Sequence, residues 1–171
     1  WQQKKLILGT SAVVGAIALG YVLIKQPTYQ ASTVLRPAEI NELDALNRSE
    51  VYKLPPADAL LKVGAALDSY GIRLDFFRSH QELFKPLERS GLSPEQSFEV
   101  FNRDSINLTQ IDLKQPDALS PSLRLELTYP GSVNGVEIIN GFVDYVINNQ
   151  SEQISSDLKT MINNRQKELK Q

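Results

Sequence analysis

Apolar residues follow three different patterns along the chain. The first is continuous: LILGTSAVVGAIALGYVLI, Leu6 to Ile24, holds no charged residue. A bilayer core about 30 Å thick needs roughly 20 apolar residues at 1.5 Å per residue, so this length predicts a transmembrane helix. Such a helix satisfies its own backbone in hydrocarbon. A signal peptide with Ala16-Ile17-Ala18 as its cleavage site is the rival reading. Apolar residues running on to Ile24 favour a retained anchor. Within the segment, Ala12, Ala16 and Gly20 recur every four residues, and Ser11 pairs likewise with Gly15. Small residues at this interval let membrane helices approach closely, which makes them a candidate packing face. The plainer reading is that Gly and Ala are common in such helices.

The second pattern, across residues 25–131, mixes periods of two and of three to four. In QPTYQASTVLRP, Tyr29, Ala31, Thr33 and Leu35 fall on one face of a strand. AEINELDALNR fits a short helix, and another begins near Pro56, since proline is tolerated in a first turn. Leu60, Gly64, Leu67, Gly71, Leu74 and Phe77 then mark one face of a single amphipathic helix. Its glycines imply either a bend or close packing. Pro86 and Gly91 end it. Ser93-Pro94-Glu95-Gln96 has capping-box spacing, with Phe98 and Phe101 as the buried side of the helix that follows. SINLTQIDL reads as a strand with a bulge near Gln110. In LRLELTY, Leu123, Leu125, Leu127 and Tyr129 face inward while Arg124, Glu126 and Thr128 face out. Pro130-Gly131 closes that strand, and Ser132 is the N-cap expected next.

The third pattern is helical and long. Val136, Ile139, Val143, Val146, Ile147, Ile154, Leu158, Met161 and Ile162 keep helical spacing without proline. They predict a helix of about 55–60 Å over 132–171, with two helices broken at Asn148-Asn149 as the alternative. The stripe thins after Ile147, where Asn148, Asn149, Gln150, Glu152 and Gln153 intervene. A rod with so narrow a stripe cannot bury it on its own domain and needs a partner helix or sister subunits. Val143, Val146, Ile147, Ile154, Leu158, Met161 and Ile162 are the candidate oligomer stripe. The expected division is a cytoplasmic flank at 1–5, a transmembrane helix at 6–24, an α/β base domain at 25–131 and the long helix at 132–171. The fold class is α+β.

Charge and composition narrow the function. The 171 residues carry a net charge of -2, with no Lys/Arg run after Lys5, so nucleic acid has no electrostatic handle. There is no cysteine, hence no disulfide, thiol chemistry or thiolate metal ligand. His80, the single histidine, reads as a solvated surface residue. Asp68 and Asp75, seven residues apart, read as the wet face of their helix, and Arg73, Arg78 and Arg89 as ion-pair partners of Asp75, Glu82 and Glu88. No catalytic, cofactor-binding or metal-binding residue is proposed. Lys4 and Lys5 against Lys25 place the N-terminus in the cytoplasm by the positive-inside rule, with the bulk of the chain in the periplasm. Trp1 and Tyr21 suit interfacial aromatics. A start at Trp and an end at KELKQ lead to the expectation that the natural protein is longer.

WQQKKLIL, then PTYQASTVLRP, then INELDALNRSEVYKL, ALDSYGIRLDFFRSHQELF and LELTYPGSVNGVEIINGFVDYV, in this order, resemble the Wzz-type chain-length determinants, the class 1 polysaccharide co-polymerases. The resemblance spans the whole chain. It implies a base domain near the bacterial inner membrane, a long helix projecting from it and a ring-shaped homo-oligomer. It also implies control of O-antigen (lipopolysaccharide) length without enzymatic activity or cofactor. The implied partners are other copies of the chain, the Wzy-type O-antigen polymerase, lipid-linked polysaccharide and membrane lipids. The family's second, proline-containing membrane helix has no counterpart after Ser132, as expected of a chain that stops at Gln171 inside the long helix. The rival classes are a periplasmic adaptor of a secretion or efflux system, a membrane-tethered enzyme and a sensor ectodomain. Gly20→Leu or Ala16→Leu is expected to disturb membrane packing and shift glycan length with the domain still folded; unchanged O-antigen banding would contradict this.

Overall fold

The computed structural model describes residues 13–22, 27–39, 47, 53–111 and 121–168. Residues 13–22 are helical (α1). Their side chains Val13, Val14, Ile17, Leu19 and Val22 all stand 60–68% exposed. Among the described residues no helix is long and apolar enough to cross a membrane. Of the expected helix over 38–48, only Ala38, Glu39 and Asn47 are described.

The sheet has three antiparallel strands in the order β1-β3-β2. Alternation over Thr28–Leu35 makes β1, which pairs with β3 (Ser122–Pro130) from Thr28↔Pro130 to Leu35↔Leu123. On the other side β2 (Ile106–Ile111) pairs from Ile106↔Leu127 to Ile111↔Ser122. Leu123, Leu125 and Leu127 of the central strand are buried, as their spacing predicts. The bulge expected near Gln110 is absent, because the register runs unbroken through Gln110↔Leu123. Thr109 and Gln110 are both exposed towards the end of an edge strand, so the polar residue stays wet without a bulge.

The single helix expected from near Pro56 to Pro86 is broken twice: α2 (Pro56–Asp68) and α3 (Tyr70–Ser79) are parted by Ser69 in an extended conformation at ψ 117°, and α3 stops at His80. A break orphans helix carbonyls, and the Arg73 guanidinium covers one, its Nε donating to Leu67 O at 2.7 Å. Close packing explains the first glycine. A Cβ on Gly64 would stand 2.6 Å from Leu123 Cδ1. The break also turns the buried face of α3 to Arg73, Phe76 and Phe77, leaving Gly71 exposed. After α4 (Gln81–Phe84) and a 3-10 turn at Lys85–Leu87, Gly91 takes a φ of 85°, a left-handed value that glycine adopts without strain. The capping box forms as predicted at α5 (Pro94–Ser105): Ser93 N donates to Gln96 Oε1 at 2.9 Å and Gln96 N to Ser93 Oγ at 3.2 Å.

The last helix, α6 (Gly135–Glu168), is continuous for 34 residues, about 51 Å, and passes through Asn148-Asn149 without interruption. Its cap is Asn134 and not Ser132. Asn134 Oδ1 accepts from Glu137 N at 3.3 Å, and Asn134 Nδ2 donates to Glu137 Oε2 at 2.8 Å. The start is delayed because the turn after Pro130, closed by Val133 N donating to Pro130 O at 3.2 Å or less, first places Val133 in the core.

The core lies between the sheet and the helices and is rich in phenyl rings. Phe76 stands 5.4 Å from Phe142 and 6.0 Å from Phe84, and Phe77 stacks on Phe98 at 4.6 Å. Such pairs add about 0.5–1.5 kcal/mol beyond area burial. Phe142→Ala is therefore expected to lower unfolding free energy by about 3–5 kcal/mol, read as a fall in the urea midpoint.

Candidate functional site

Among the described residues, the far half of α6 is the long apolar-striped segment that places no side chain in the core. Its near half is held firmly: Ile138, Ile139, Phe142 and Val146 are 0–4% exposed. Gly135 lets the helix backbone meet the Tyr129 ring, and a Cβ on Gly141 would stand 3.4 Å from Phe76 Cζ. At about 100° per residue, the four buried side chains span an arc of about 100°. Beyond Val146 no residue of α6 is buried.

A second apolar line runs along another side. Val136, Val143, Ile147, Ile154, Leu158 and Met161 follow at intervals of 7, 4, 7, 4 and 3. Their mean direction lies about 110° around the helix from the buried arc. Val136 is 52% exposed, Ile147 44% and Met161 43%, with Ile162 on the flank at 39%. Val143, Ile154 and Leu158 are half-buried. The remaining surface is polar, largely Asn, Gln and Ser between Asn148 and Ser156 with Glu152 among them. Gln153 Nε2 donates to Asn149 Oδ1 at 3.1 Å, and Thr160 Oγ1 to Ser156 O at 3.0 Å.

Of the seven stripe residues read from the sequence, Val146 is taken up by the body at 0% exposure, while the other six lie on the outward line or its flank. Ile138 and Phe142 of the inward arc escaped that reading. Their signal was the i, i+1, i+4, i+8 spacing of Ile138, Ile139, Phe142 and Val146. In the membrane stripe, Ser11 and Ala12 lie outside the described residues. Gly15 and Gly20 have nothing within 4 Å of a Cβ position, and Ala16 is exposed.

The ionisable residues are engaged in packing. His80 is half-buried rather than fully solvated, its ring 4.4 Å from that of Phe76 and its Nδ1 at 2.9 Å from Ser79 Oγ and 3.1 Å from Phe76 O. The break at Ser69 puts Asp68 and Asp75 on different helices. Arg73, 8% exposed, pairs with Asp68 at 3.3 Å and not with Asp75, and its third partner is Asn102 Oδ1 on α5 at 3.1 Å. Burial pulls its pKa below the usual guanidinium value, and the Asp68 carboxylate offsets part of that. Arg78 pairs with Glu95 across to α5 rather than with Glu82, at 2.9 Å and well exposed. Arg89 is joined to α5 through its backbone, its N donating to Ser97 Oγ at 3.0 Å. Among the described residues no three His, Cys, Asp or Glu side chains gather as a metal site would require.

Residues 1–80 match the family model of the Wzz chain length determinant protein. A solved structure described as a full-length bacterial polysaccharide co-polymerase has the same fold, with a TM-score of 0.60 at 15% identity. Both likenesses support the resemblance to the Wzz-type chain length determinants. The likeness covers 99% of this chain and 49% of that one, so this chain spans about half the length of the co-polymerase. No curated protein matches it. The family is regulatory rather than catalytic in kind, and these findings do not favour a secretion or efflux adaptor.

Arg73→Lys keeps the charge but loses the planar fork that spans Leu67, Asn102 and Asp68. It is expected to cost about 1–3 kcal/mol in denaturant unfolding, whereas Arg78→Lys, which alters only an exposed ion pair, should cost under about 1 kcal/mol.

Proposed function

We propose that this chain sets the modal length of O-antigen as an oligomeric co-polymerase working with the Wzy-type polymerase on lipid-linked polysaccharide. It is anchored in the bacterial inner membrane through residues 6–24, with its N-terminus cytoplasmic and the rest periplasmic. It does no covalent chemistry of its own. The observation that carries this reading is the outward apolar line of α6 from Ile147 to Met161, none of whose side chains is buried or packed on the core.

Topology supports the orientation. β1 starts at Thr28, four residues after Ile24, and pairs there with Pro130 at the end of β3. α6 therefore begins at the end where an anchor would enter and runs back over the sheet, Ile138, Ile139 and Phe142 lying with Leu125 and Leu127 around the core. Its last 22 residues, 147–168, make about 33 Å of helix in which no residue is buried. The all-round exposure of α1's apolar side chains also fits a lipid surround, since a helix that is hydrophobic on every side is either buried or in a membrane.

An apolar line at seven- and four-residue spacing suits helix-to-helix packing between copies. Parallel rods gathered in this way present many copies of one polar surface to a growing glycan or its polymerase, and copy number supplies avidity. Neither Ile154 nor Leu158 is among the side chains packed on the core, so Ile154→Asp with Leu158→Asp should leave the unfolding midpoint of the base domain unchanged. The pair is expected to dissociate the detergent-solubilised protein to smaller species by light scattering, and to abolish the modal O-antigen band. A wild-type protein that runs as a monomer, or a variant that keeps both the assembly and the band, would overturn the proposal.

A further inference from the structure

The sheet face that packs on the helices changes character at its last rung. Along β1 it presents Leu35, Thr33 and Ala31, and along β3 Leu123, Leu125 and Leu127, all half-buried or buried. At the next pair, Tyr29↔Tyr129, both strands switch to tyrosine. The rings stack with centroids 6.1 Å apart and planes at 27°. Tyr129 is half-buried against the first turn of α6 at Gly135, whereas Tyr29 stands 52% exposed.

The pair is rigidly placed. Gly131 N donates to Pro27 O at 3.2 Å, tying the turn after β3 to the start of β1. A Cβ on Gly131 would meet Tyr29 Cε2 at 3.1 Å, so the Tyr29 ring lies against the turn backbone. An exposed phenol held in one orientation has given up its rotamer freedom before meeting any partner. Tyrosine suits a boundary where one end of the ring is apolar and the other wet.

We propose that the Tyr29–Tyr129 rung, with Pro27 and the 131–132 turn, docks the base domain on the headgroup layer of the bilayer. This rests on the reading of residues 6–24 as an anchor. Tyr29 follows Ile24 by five residues, at most about 17 Å of extended chain, and anything short of full extension brings it nearer. The headgroup layer is where Tyr side chains concentrate. Lys25, between the two, adds attraction to anionic lipid. Docked so, the sheet meets the membrane at two points, the covalent tether and the tyrosine rung, and the tilt of α6 is fixed relative to the bilayer plane.

The test uses the full chain in vesicles of phosphatidylcholine and phosphatidylglycerol, with Trp1→Phe removing the one tryptophan. Single tryptophans are placed by Tyr29→Trp, by Ile17→Trp in the apolar segment and by Leu61→Trp, an exposed position of α2 beside Gln110 and Leu123 at the end of the sheet away from the rung. Lipids spin-labelled at the headgroup or deep in the acyl chain are the quenchers. Tyr29→Trp should be quenched strongly by the headgroup label and weakly by the deep one, Ile17→Trp the reverse, and Leu61→Trp by neither. Should Tyr29→Trp disturb folding by circular dichroism, Ser132→Cys in this cysteine-free chain carries a fluorophore to the same end, with the same expectation. Deep quenching of Ile17→Trp with none at residue 29 or 132 overturns the docking and leaves the anchor intact, including the case of blue-shifted emission that another protein copy would cause. Loss of quenching at residue 17 as well overturns both.

Discussion

One buried arc holds the molecule in its shape: Ile138, Ile139, Phe142 and Val146 of α6 closing on Phe76, Leu125 and Leu127. It occupies little more than the first third of a 34-residue helix. Everything downstream is cantilevered from it. Burial of four large side chains is enough to fix the direction of the helix, and the Asn134 cap with Glu137 fixes its start. Neither supports the last 22 residues, in which Asn149, Gln150, Ile154 and Leu158 are half-buried, none is buried, and amide contacts join Gln153 to Asn149 and Gln150. In proteins most helical stability comes from packing of an apolar face rather than from propensity. A rod that persists there must draw on something outside the domain, and the outward line from Val136 to Met161 is the face through which it can do so.

The same geometry relates fold to function. A tight turn between β3 and α6 returns the chain to the end of the sheet at which β1 begins, so α6 and β1 start at the same end. Under the proposed function, that shared end is the one that faces the membrane. Two ionisable groups are committed to structure, Arg73 sealing the α2–α3 break and His80 lying on Phe76.

Local patterns were legible in the residues and tertiary ones were not. The Ser93–Gln96 box, the alternation of Leu123, Leu125 and Leu127, and the uninterrupted run from Gly135 are each set by neighbours within a turn or a rung. The break at Ser69 has no proline to announce it and depends on a guanidinium arriving from α3. Arg73 itself read as an ion-pair partner of Asp75, since an isolated arginine gives no sign of the Leu67 carbonyl and Asn102 amide that await it. Ser132 and Asn134 are equally good caps by type; the burial of Val133 between them decides. In the candidate site the apolar positions were visible but their division was not, because Val146 and Ile147, adjacent in sequence, belong to faces about 110° apart. Only the position of the sheet tells which face is spent.

The most direct measurement is amide hydrogen exchange along α6 in the assembled protein and after dissociation. The account predicts slow exchange from Ile139 to Val146 in both states, and slow exchange from Glu152 to Asn164 only in the assembly. Equal protection of the far half in the dissociated monomer, or no protection of it in the assembly, would contradict the claim that sister copies cover the rod.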